Sequence, residues 1–347
     1  MIKEKINPSI RLDEVTLMRC ILALLIVFMH SFTCYNGSWA KPTDYVDIPL
    51  YKWLTRITFA FTLEAFVFVS GYIMAFQHVT LKKRVTNVNY FINKLKRLIL
   101  PSIVFSLFYF IIFYTYNGPG NMIYNIINGC GHMWYLPMLL GCFLGSMFLL
   151  QIRVSQGWKL ILLVLLNFFT IITLPLRISD ASTFIVYFYS GYLCYLHKEK
   201  IKKILNLRLL SFMWLIFLIS FILCRPIRDI LVVNDSQSNI VKFCVYVGNN
   251  ISQFVYVTTG LIAFYCTVLY YVQRHEIKPF VIKLSAYCFG IYLLHQFILQ
   301  LMYYRTSLPI IVGPYLLPWV GFICTLPISI VASRLILKTK IGNFLIG

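Results

Sequence analysis

Apolar runs of about 20 residues recur along the chain, separated by polar or charged connections. Wound as a helix, a run of that length crosses the roughly 30 Å hydrocarbon core of a bilayer. The pattern predicts spans at residues 15–34, 57–77, 98–116, 133–152, 159–176, 182–196, 209–224, 251–272, 280–302 and 314–337. The expected fold class is an all-α polytopic integral membrane protein with about ten transmembrane helices. These form a single domain over residues 1–347 with no appended soluble domain. No small-x-small cleavage site follows the first span, which reads as a retained signal anchor. The longest connections, 35–56 and 225–250, exceed the length at which loops are usually only connectors.

Composition points the same way. Hydrophobic residues make up 60% of the chain and charged residues 12%, more apolar length than one soluble core needs. The formal net charge of +20 would suit a nucleic-acid binder, but its distribution argues against one. If the N-terminus is cytoplasmic, 23 of the 31 Lys and Arg residues fall in cytoplasmic segments, including Lys82 to Arg84, Lys94 to Arg97 and the lysines between Lys198 and Lys203. Such asymmetry orients polytopic proteins, so both termini are expected in the cytoplasm. Nucleic-acid recognition needs a basic face on a soluble domain, and none is expected. The ten cysteines contain no CxxC pair and most lie within spans, where a thiol is a small hydrophobe. An outer disulfide among Cys34, Cys130, Cys224 and Cys244 stays open.

Polar residues inside spans carry the candidate chemistry, because a charge facing lipid costs at least about 2.5 kcal/mol and such groups usually mark a substrate or ion path. Arg19 and His30 lie eleven residues apart in the first span. Eleven helical residues make about three turns and rise about 16 Å, so both side chains project from one face at different depths. His132 and His295 fall at a depth comparable to His30, which suggests a shared polar cavity. His78, His197 and His275 sit at span ends, where solvation explains them. No carboxylate or thiolate completes a metal site at ligand spacing, so no metal is expected. Glu64, the one carboxylate inside a predicted span, lies at the depth of His30 and would fix its tautomer or, more plainly, bond a neighbouring helix. Ser70 follows on the same span in a Ser-Gly-Tyr run that close helix packing would also explain. Lys94 and Arg97, three residues apart, form one cationic helix face suited to a polyphosphate. Trp134 suits either stacking on a sugar or an interfacial belt.

Taken in order, Arg19 to His30, Phe66 to Tyr72, Lys94 to Pro101, His132 to Leu136 and Ser285 to His295, which includes Tyr292, resemble the successive signatures of the acyltransferase family 3 membrane proteins. The likeness runs through the whole chain, and the Arg and His separated by ten residues are its most specific element. The resemblance implies about ten helices, an acyl-coenzyme A co-substrate (acetyl-coenzyme A the foremost) on the cytoplasmic side, and O-acylation of a cell-surface polysaccharide or its lipid-linked precursor. It implies a bacterial cell membrane as the location and no permanently bound cofactor. His30 matches the essential histidine, and Glu64 an acidic position ahead of the Ser-Gly element. Arg19, Lys94 and Arg97 would hold the donor's phosphates, while Ser70, His132, Trp134, Tyr292 and His295 would face the acceptor or support the site. One departure is that the family commonly carries two arginines where this chain has Lys94 and Arg97. His30 would act as general base or itself become acylated. The competing class is a carrier that exports a glycan or lipid-linked precursor without chemistry, although neither inverted repeats nor paired broken helices are visible.

Overall fold

The computed structural model describes residues 11–43, 45–113, 119–170, 174, 176–230 and 238–346. Every regular element among them is helical. In chain order they are α1 (Asp13–Ser31), α2 (Pro49–Phe59), α3 (Thr62–Val79), α4 (Val88–Phe113), α5 (Pro119–Asn128), α6 (Tyr135–Gln151), α7 (Gln156–Phe169), α8 (Ile178–Leu196), α9 (Lys198–Ile204), α10 (Leu207–Ile230), α11 (Asn239–Val272), α12 (Pro279–Ser285), α13 (Cys288–Tyr304), α14 (Leu308–Lys338) and α15 (Lys340–Ile346).

Among the described residues, seven helices or continuous helical runs are long and apolar enough to cross a membrane. The pair α12 and α13, bent by 65° at its break, adds an eighth if it is one span. Two expected spans fall short of that measure. α7 has only 14 residues. α8 has 19, but hydroxyl side chains and Asp180 dilute its apolar content. Its burial explains how it tolerates them: Val186, Tyr187, Phe188 and Tyr189 all lie in the core, so α8 faces protein and need not match lipid. The long connections also differ from expectation. Segment 35–56 contains most of α2, and α10 and α11 extend into 225–250, leaving a much shorter link. Within α14, Gly313 takes a left-handed φ of 67° next to Pro314, so the straight span starts where the sequence places it.

α1 lies inside the bundle and packs on α2, α3, α11, α12, α13 and α14. Among the described helices, α3 and α8 make the most extensive contact, and it is built on a repeated pattern. Phe68-Val69-Ser70-Gly71-Tyr72 in α3 meets Phe188-Tyr189-Ser190-Gly191-Tyr192 in α8. A methyl on Gly71 would overlap the carbonyl oxygen of Phe188, and one on Gly191 would overlap that of Phe68. The backbones therefore touch reciprocally, as small residues allow between membrane helices. Ser70 and Ser190 turn their hydroxyls back onto their own helices, to Phe66 O at 3.0 Å and Val186 O at 2.7 Å.

α1 also begins earlier than the predicted span, which brings in a second buried carboxylate. Glu14 is buried and its Oε1 accepts from Tyr72 Oη at 2.8 Å and from Lys198 Nζ at 2.5 Å. This ties the first turn of α1 to α3 and α9. All ten cysteines are free thiols, including the four between which a disulfide stayed open.

Candidate active site

Arg19 and His30 project from α1 into two different cavities. The first, of about 460 Å³, opens at the C-terminal end of α1 and is lined by His30, Trp39, His132, Trp134, Gln296 and Gln300 among others. The second, of about 260 Å³, lies toward the N-terminal end of α1 and is lined by Arg19, Lys94, Arg97, Gln77, Ser70 and Cys288 among others. Ile26, Leu63, Tyr135 and Tyr292 belong to both, so the cavities meet at one shared wall. Ile26 lies between Arg19 and His30 in α1, in keeping with the about 16 Å rise along that face.

In the first cavity the three predicted histidines come together. The ring of His295 lies 4.9 Å from that of His30 and 4.9 Å from that of His132, centroid to centroid. Their hydrogen bonds assign the tautomers. His295 Nδ1 faces two carbonyl oxygens, Tyr292 O at 2.8 Å and Ile291 O at 3.0 Å, so in the neutral ring it carries the proton. His295 Nε2 is then an acceptor, and it sits 3.1 Å from His30 Nδ1. His30 Nδ1 also lies 2.9 Å from Ile26 O. Two acceptors around it make Nδ1 the protonated nitrogen, which leaves the lone pair of His30 on Nε2. A half-buried imidazole that lines a cavity with a bare Nε2 is arranged as a general base.

The expectation that Glu64 would set this tautomer is replaced. Both hydrogen bonds of His30 go elsewhere, to Ile26 and His295. Glu64 is buried in α3 within electrostatic reach of Tyr135 and Tyr187. His132, 5% exposed, gives its Nε2 proton to Leu293 O at 3.2 Å, while its Nδ1 has no hydrogen-bond partner. Tyr292 Oη donates to His132 O at 2.6 Å and so holds the 3₁₀ turn Gly131–Trp134 against α13. The Arg177 guanidinium lies 5.7 Å from the Trp134 ring centroid.

Sequence reasoning did not single out Trp39, Tyr135, Gln296 or Gln300. Trp39 lies in the segment after α1, its ring 6.1 Å from that of His30. That segment is fastened by Tyr45 Oη to Pro309 O at 2.5 Å and by Lys41 to Asp47 at 2.8 Å. The Lys41 ammonium beside it holds the Asp47 carboxyl below its ordinary range. Gln296 and Gln300 follow Tyr292 at four- and eight-residue intervals on α13, so the helical period places both on the face of Tyr292.

The second cavity gathers the three predicted cations. Among the described residues no ion pair involves Arg19, Lys94 or Arg97. Lys94 Nζ instead sits 4.6 Å from the Phe143 ring centroid and 5.1 Å from that of Tyr90. Three cations converging on one cavity without a carboxylate form a site for a polyanion, since like charges are brought together at a cost that an anionic ligand removes. Ser70 lines this cavity and not the first. Among the described residues no group of three His, Cys, Asp or Glu is arranged to hold a metal ion.

A family model described as an acyltransferase domain matches residues 12–338. Comparison with curated proteins and with solved structures gives no match.

Proposed function

The chain belongs to the acyltransferase 3 family and is a multi-pass helical acyltransferase, and from that premise we propose that it moves an acyl group, most simply acetyl, from acyl-coenzyme A to a hydroxyl of a cell-surface polysaccharide or its lipid-linked precursor. The observation that carries this reading is the pair of cavities meeting at Ile26, Leu63, Tyr135 and Tyr292, with unpaired cations on one side and histidines on the other. Arg19, Lys94 and Arg97 take the phosphates of coenzyme A. Its pantetheine arm, long enough for the about 16 Å between Arg19 and His30, carries the thioester to the shared wall. The acceptor hydroxyl enters the first cavity, where His30 Nε2 takes its proton as its oxygen attacks the thioester carbonyl. His295 and Ile26 O hold the Nδ1 proton in place, so the imidazolium that forms keeps both partners.

The donor assignment is tested by thermal unfolding of the purified protein with coenzyme A. A ligand that binds only the folded state at a hundredfold excess over Kd adds about 2.7 kcal/mol. The melting temperature should rise with coenzyme A, and the rise should shrink in Arg97→Ala and in high salt, because the attraction is between formal charges in a water-accessible cavity. His30→Ala should still respond, since it acts at the thioester end. No rise at millimolar coenzyme A would contradict the donor assignment.

A further inference from the structure

Four residues form the wall shared by the two cavities, and two of them, Ile26 and Leu63, bring no polar group. The other two are tyrosines whose hydroxyls are employed differently. Tyr292 spends its proton on His132 O at 2.6 Å. Tyr135 opens α6 immediately after the 3₁₀ turn and is 7% exposed, yet its hydroxyl has no hydrogen-bond partner. Ser70 is near it but forms no hydrogen bond with it, and turns its own proton to Phe66 O at 3.0 Å. A buried hydroxyl left unpaired costs about 1–3 kcal/mol, and a native fold that keeps one invites the question of what fills it. The Tyr135 side chain lines both cavities at their junction, and its buried, unpaired hydroxyl leaves a donor for a ligand that reaches through the wall.

Resting on the acyl-transfer reading above, we propose that the Tyr135 hydroxyl donates a hydrogen bond to the carbonyl oxygen of the acyl thioester and stabilises the oxyanion that forms there. The acceptor oxygen bonds to the carbonyl carbon while His30 Nε2 takes the hydroxyl proton. The carbonyl π pair moves onto oxygen, where Tyr135 Oη–H meets the new negative charge. When that pair returns, the carbon–sulfur bond breaks, and the coenzyme A thiolate takes the proton from His30. An ester and a free thiol leave, and Tyr135 keeps its proton throughout. A donor held in an apolar wall is effective in this role because it needs no reorganisation as the charge develops.

The test compares native protein and Tyr135→Phe, full-length in liposomes, for turnover and for binding of acetyl-coenzyme A labelled with ¹³C at the carbonyl. Removing one donor of this kind costs about 10²–10³-fold in kcat. Tyr135→Phe should show that loss with KM for acetyl-coenzyme A and thermal stabilisation by coenzyme A close to native. In the native protein the bound thioester carbonyl band should move to lower wavenumber, and in Tyr135→Phe it should not. An unshifted band in the native protein overturns the proposal without reference to any variant, as does a variant within about threefold of native turnover. Native protein that neither binds nor turns over acetyl-coenzyme A overturns the donor reading itself, and this proposal with it.

Discussion

His30 is positioned as a base by two acceptors of unequal permanence. Ile26 O belongs to the same helix and stays whenever α1 is formed, while His295 Nε2 comes from α13, 265 residues away. The two contacts imply a ranking. His30→Ala should remove the whole acid–base contribution, about 10²–10⁴-fold in turnover. His295→Ala should cost less, because Ile26 O still holds the Nδ1 proton, and both should leave coenzyme A binding intact. Turnover assays on the two variants check this, and an equal or larger loss in His295→Ala would contradict the tautomer assignment. Arg19, His30 and His295 were readable in the sequence because their presence in an apolar run is costly, and Lys94 and Arg97 because their three-residue spacing makes one cationic helix face. Glu64 was readable as a buried carboxylate but not in its partner, because depth along a helix does not say which face of which neighbour it meets. Glu14 was missed because it sits one residue outside the apolar run. Tyr135 was legible only as part of the His132 to Leu136 segment, with no role of its own, and Trp39 carried no signal, since aromatic residues abound in this chain for packing alone.

Hydrophobic periodicity located the long helices well, because crossing a membrane demands an unbroken apolar length. It lost α2 to a connection and overstated α7, since neither has that length. α8 shows the opposite case, a full-length helix whose hydroxyls are permitted by its place inside the bundle. Its partnership with α3 was present in the sequence as the shared Phe-x-Ser-Gly-Tyr pattern, but a five-residue likeness becomes meaningful only when the two copies are seen face to face. Overlap with a backbone carbonyl cannot be relieved by turning a side chain, so Gly71→Ala and Gly191→Ala should each destabilise the protein by about 1–3 kcal/mol or more. Gly157, in α7, has open space where a methyl would go, and Gly157→Ala should be neutral or slightly stabilising. Thermal unfolding in detergent distinguishes these. Native-like stability in Gly191→Ala would show that α3 and α8 can separate without loss.

Across the whole molecule, Arg19, Lys82, Lys83, Arg84, Lys94, Arg97 and Lys198 collect at the end that holds the second cavity. Lys198 at the start of α9 grips Glu14 in the first turn of α1, five residues before Arg19. His78, Lys82, Lys83 and Arg84 line a further recess beyond Gln77 at the C-terminal end of α3. From the positive-inside rule we propose that this end faces the cytoplasm, where acyl-coenzyme A is made, and the histidine cavity the opposite side. Asp44 and Ser236, in the long connections 35–56 and 225–250 that a cytoplasmic N-terminus puts outside, lie beyond the described residues. The central claim is that an acyl group enters on the cationic side and leaves as an ester through His30. The most direct measurement uses inside-out membrane vesicles supplied with acetyl-coenzyme A labelled in its acetyl group, followed by recovery of the glycan fraction. The account predicts an alkali-labile labelled ester on glycan with native protein, and none above background with His30→Ala or Arg97→Ala. Label on glycan at native levels in His30→Ala, or none with the native protein, would contradict it.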